Sequence, residues 1–84
     1  MENKSAKQLL KEHFKKHHCN IDENGVEWIL SLLEVKTDNS YMEIIRDFGI
    51  NVTEVLVLYF SDLEKFEICV KLKNKISKYK TISQ

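Results

Sequence analysis

Residues 48–62 read FGINVTEVLVLYFSD, and this run restricts the possible folds more than any other part of the chain. Gly49 stops whatever precedes it, and β-branched and aromatic residues then follow almost without a break. Ile50 and Val52 alternate with Asn51 and Thr53, and from Val55 to Phe60 both alternating faces are apolar. Such a segment reads as a strand covered on both sides. The whole sequence is 84 residues long, which makes 1–84 a single small domain. A chain of that size buries only roughly 60–65 % of the surface its unfolded form exposes, so little apolar area can be left wet.

The flanking segments suggest what would cover that strand. Ser5 followed three residues later by Gln8 is a capping-box pattern. Ala6, Leu9, Leu10, His13, Phe14 and His17 then recur at helical spacing, predicting an amphipathic helix over 5–18. Ser40 and Glu43 repeat the capping pattern ahead of Tyr41, Ile44, Ile45 and Phe48, predicting a short helix that ends at Gly49. Beyond SDLE, the segment KFEICVKLK alternates, with Phe66, Ile68, Val70 and Leu72 inward and Lys65, Glu67, Cys69, Lys71 and Lys73 outward. That pattern predicts the second strand of an antiparallel hairpin.

Residues 26–36 fit two templates. Val26, Ile29, Leu30 and Leu33 make a helix face, whereas Val26, Trp28, Leu30 and Leu32 make a strand face. The helical choice gives α-α-α-β-β, the order of a winged helix. The strand choice gives an α+β fold: an N-terminal amphipathic helix followed by a β-α-β-β unit. A hairpin gains stability from a third strand, and a strand before the Ser40 helix permits a right-handed crossover, so the expectation is α+β.

Gly49, Ile50, Asn51 and Val52, closing a helix and opening a strand, resemble the corresponding step in the ACT domain, a ferredoxin-like regulatory module. The resemblance spans about residues 26–73. It implies a ferredoxin-like fold and a regulatory rather than catalytic role.

Charge is balanced overall but segregated along the chain. Lys4, Lys7, Lys11, Lys15 and Lys16 make the start basic. The middle is acidic, and Lys71, Lys73, Lys75, Lys78 and Lys80 form a basic end, expected as a tail from about residue 74. Two charged ends can neutralise an acidic body, or they can offer a basic surface to nucleic acid. A single arginine, Arg46, argues against bidentate base reading. In the winged-helix alternative the Ser40 helix would present Glu43 and Asp47 to phosphates, which is repulsive.

Catalytic and metal chemistry find little support in the pattern. His13 and His17 lie one turn apart with Cys19 nearby, but a zinc site would need another ligand. NIDENG resembles half of a calcium loop, yet Ser31 stands where the bidentate glutamate belongs, and the segment reads as a turn. No nucleophile–base pair, phosphate-cradling loop or cofactor motif is legible. Two cysteines fifty residues apart suggest a reducing, cytoplasmic setting, and no apolar run is long enough for a membrane span. The expected function is that of a small non-enzymatic regulatory or inhibitor-like protein binding another protein or a second copy of itself. Its expected interface is the uncovered sheet face carrying Val55, Val57, Tyr59 and Cys69. A winged-helix nucleic-acid binder is the alternative.

Overall fold

The structure is a computed structural model that describes residues 5–82. Those residues form five helices and no strand: α1 (Ala6–Lys16), α2 (Glu23–Val35), α3 (Asp38–Phe48), α4 (Ile50–Asp62) and α5 (Phe66–Ile82). The α+β expectation is therefore corrected, and with it the ferredoxin-like architecture that the ACT resemblance implied. The winged-helix alternative anticipates α1–α3, but its β-hairpin is also absent, because both supposed strands are helices.

Each reversal has a local cause. In α2 the helix face wins: Val26, Ile29 and Leu33 are buried and Trp28 is exposed. Asp22 caps this helix, its Oδ1 accepting from the Gly25 N–H at 2.8 Å, so NIDENG is a helix start rather than a turn. Gly25 is needed there for space. A Cβ would lie 2.8 Å from the Ile21 methyl and 3.2 Å from the Phe48 ring, where the start of α2 meets the end of α3.

α4 is apolar nearly all round because it is covered from several directions, touching α1, α3 and α5. A helix that is apolar all round is a buried helix. Its β-branched residues lower helix propensity by only a few tenths of a kcal/mol each, which packing overrides. The alternation of 65–73 is local. Carried on to the end of the chain, the inward residues are Cys69, Leu72, Ile76 and, partly, Tyr79, which is helical spacing. The expected basic tail is thus the second half of α5.

The two helices expected from capping patterns are present. Ser5 caps α1, its Oγ accepting from the Gln8 N–H at 3.2 Å. The second starts one turn earlier than Ser40: Thr37 is the cap, and Thr37 and Ser40 bond reciprocally at 3.0 and 3.1 Å. Gly49 ends α3 and opens α4 with φ 94° and ψ 170°, a region essentially confined to glycine.

The helices pack in an elongated body of 47 × 24 × 22 Å. α3 and α4 lie in the middle, α1 and α2 on one side and α5 on the other. α1 meets α2 and α4, α2 meets α3, and α5 meets α3 and α4. One continuous core runs from Leu10 and Phe14 through Ile29, Tyr41, Ile44, Ile45 and Leu56 to Leu72 and Ile76.

Candidate functional site

The residues expected to bind a partner are mostly inside the single chain. Val55, Val57 and Cys69 are buried, and the Cys69 thiol donates to the Val57 carbonyl oxygen at 3.3 Å across the α4–α5 contact. Tyr59 is half-buried, its ring edge-on to His13 with centroids 5.3 Å apart. The expected uncovered face does not exist, because helical rotation turns Val55 toward α1 and Val57 toward α5 instead of placing them on one sheet surface.

The basic residues divide by partner. Lys4 lies outside the described residues. Lys7 reaches Glu27 at 2.6 Å and Glu23 at 3.0 Å, and Lys11 reaches Glu23 at 3.7 Å. These contacts hold the Lys7 ammonium above its usual range, chiefly through Glu27, and hold the Glu23 carboxyl below its own, chiefly through Lys7. Glu23 also sits in the first turn of α2, where negative charge suits the helix dipole. Two lysines of the basic start, Lys7 and Lys11, are thus paired with α2. Lys15 lines the polar α1–α2 groove with Cys19. Lys71 lies 3.9 Å from Glu67, and Lys75 crosses to Asp38 at 3.3 Å. Lys73, Lys78 and Lys80 make no ion pair among the described residues.

The His13 and His17 rings lie tilted against each other with centroids 4.5 Å apart, but His13 is engaged structurally: its Nε2–H donates to the Val55 carbonyl oxygen at 3.0 Å. Burial is the main cause of its lowered pKa, and His17 and Lys16 push the same way against the Val55 contact and Asp62. Among the described residues, no three His, Cys, Asp or Glu side chains converge in a way that could hold a metal ion.

What the sequence reading missed is the outer face of the α4–α5 hairpin. On α4 the outward residues are Asn51, Glu54, Leu58 and Ser61; on α5 they are Phe66, Val70, Lys73, Ser77 and Lys80, all exposed. The α5 set repeats at alternating steps of four and three residues, the spacing of a helix seam made for another helix. Leu58, Phe66 and Val70 remain 49, 59 and 55 % exposed. Between the helices runs a groove of about 380 Å³, with Val57 and Ile76 as its floor. Glu54 and Leu58 stand on the α4 side, and Lys73, Ser77 and Lys80 on the α5 side. The signal was present in the sequence as the 66-70-73-77-80 register, visible only once 66–82 is treated as one helix.

These features describe an all-helical chain with a mixed apolar and charged outer face. No family model matches the sequence, and no curated protein and no solved structure matches it. Among the described residues, no helix is long and apolar enough to cross a membrane.

Proposed function

We propose that this is a small non-enzymatic regulatory protein of the cytoplasm that acts by binding protein, in an inhibitor-like manner, through the outer face of α4 and α5. The observation that carries the reading is the exposure of Leu58, Phe66 and Val70 on one hairpin, Leu58 standing at the edge of a groove with an apolar floor. Large side chains left wet together are characteristic of interaction surfaces. A helical hairpin with an outward seam is a surface on which another helix can lie. Two unpaired cysteines, one of them buried against a carbonyl, suit a reducing compartment.

The test is capture from a native lysate with the wild type and with Leu58→Glu/Val70→Glu. Both positions are exposed, so the variant keeps its helical content. The reading expects a protein retained by the wild type and lost from the variant. Identical capture by both chains, or retention of nucleic acid alone, would overturn it.

A further inference from the structure

The same face has a polarity that specifies what can cover it. Toward the α4–α5 turn it carries the exposed Leu58 and Val70, with Phe66 at the first position of α5, and farther from the turn it carries Glu54, Lys73 and Lys80. Within the charged part the two helices carry opposite signs: Glu54 on α4, Lys73 and Lys80 on α5. None of these three side chains makes an ion pair among the described residues. Lys7, Lys11, Lys71 and Lys75 pair within the chain, whereas Glu54, Lys73 and Lys80, unpaired among the described residues, line one groove together.

We propose that the occupant is a second copy of this chain, related by a two-fold axis running parallel to α4 and α5 between the two faces. This rests on the reading of the α4–α5 face as the protein-binding surface and names what binds there. Such an axis exchanges left and right without reversing the direction of the helices. α4 of one copy then faces α5 of the other, and Glu54 meets Lys73 and Lys80 of the second copy, twice over. The apolar end of one face meets the apolar end of the other. A two-fold axis across the helices does the opposite: it sets Glu54 against Glu54 and lays Leu58, Phe66 and Val70 on the lysines. The charge pattern and the apolar pattern select the same arrangement independently.

The size of the face sets the strength. α5, with 17 residues, is about 25 Å long. Two helices packed 8–10 Å apart make a face about 20 Å wide, giving roughly 500 Å² per copy. This is near the lower limit for a specific interface, the size class of weak and transient contacts. Its charged half weakens with salt.

The experiment is sedimentation of two surface variants, alone and mixed. Glu54→Lys sets like charges across the axis in its own dimer, and so does Lys73→Glu/Lys80→Glu. Each variant alone should dissociate about tenfold more readily than the wild type, or more, while keeping the wild-type helical circular dichroism. Mixed one to one, they form a heterodimer in which both sets of contacts are again opposite in sign, and the wild-type affinity returns. A wild type that stays monomeric at several hundred micromolar overturns the proposal, as does a dimer indifferent to these substitutions or a mixture that fails to associate. In the monomeric case, the lysate capture still decides whether the face binds a different protein, so the two readings fail separately.

Discussion

At the residue scale, the ends of the helices are made in an unusual way for a chain with two glycines. Three helices end on left-handed residues that are not glycine: His18 at φ 61°, Lys36 at 58° and Glu64 at 60°. After His18 and Glu64 the chain closes with a bond back to the helix, Cys19 N–H to the Phe14 carbonyl and Lys65 N–H to the Phe60 carbonyl, each 2.8 Å. Such closures normally recruit glycine, because a side chain in this region costs roughly 1–2 kcal/mol. Replacing Glu64 by glycine should raise stability by about 0.5–1 kcal/mol, part of the gain being offset by a looser unfolded chain. Gly49 is the converse case. A Cβ there meets nothing within 4 Å, so Gly49→Ala should cost roughly 1–3 kcal/mol through backbone conformation alone. Denaturant unfolding of the two variants checks both signs. No loss from Gly49→Ala, or a loss from Glu64→Gly, would mean that left-handed backbone conformation does not set the two positions.

His13 gives the molecule a pH dependence at the same scale. The ring joins α1 to α4 through the Val55 carbonyl, and its folded pKa lies below the ordinary imidazole value of about 6.5, mainly because it is partly buried. The folded state therefore binds a proton less readily than the unfolded chain. The stability this confers is present above pH about 6.5 and is lost as pH falls through the lowered folded value. His13→Gln keeps a donor for Val55 and removes the titration. The fall in thermal midpoint between pH 7 and pH 5.5 should be smaller in the variant than in the wild type.

At the scale of elements, α5 separates the helical account from a strand most sharply. As a strand, 65–73 would turn Val70 and Leu72 inward together. In the helix Leu72 is fully buried and Val70 is 55 % exposed. Leu72→Ala should cost about 2–5 kcal/mol, as buried leucine truncations do, whereas Val70→Ala should stay within about 0.5 kcal/mol of the wild type. Comparable losses at the two positions would favour the alternating pattern. The misreading had a physical source. Four apolar residues two apart satisfy a strand template over nine residues, and only Ile76 and Tyr79, one and two turns beyond Leu72, reveal the longer period. α1 and α3 were legible because cap, apolar stripe and polar face agree over eleven residues each. α4 was hard to read, since burial by α1, α3 and α5 narrows its polar face to Asn51, Glu54 and Ser61, interrupted by the exposed Leu58.

At the scale of the whole molecule, charge segregation along the sequence becomes charge pairing in space, but only in part. α1 and α2 are neighbours, so Lys7 and Lys11 meet Glu23 and Glu27. In the second half of α5, Lys75 pairs with Asp38, and Lys73, Lys78 and Lys80 make no ion pair among the described residues. The sequence could announce that the ends are basic, not which end is neutralised, because that depends on which helices adjoin. For the same reason the sequence placed Val55, Val57, Tyr59 and Cys69 on an open face that the helices do not form. Val55 and Val57 face inward, and the surface passes to Leu58 and Val70. The central claim is that this outer face is where the protein meets protein, its own second copy included. Methyl-labelled NMR spectra across a dilution from several hundred to a few micromolar test it most directly. The account predicts that the Leu58 and Val70 methyl signals move with concentration while those of Val35, equally exposed at the far end of α2, stay fixed. Signals that move at Val35 or Leu9 and not at Leu58 and Val70 would contradict it.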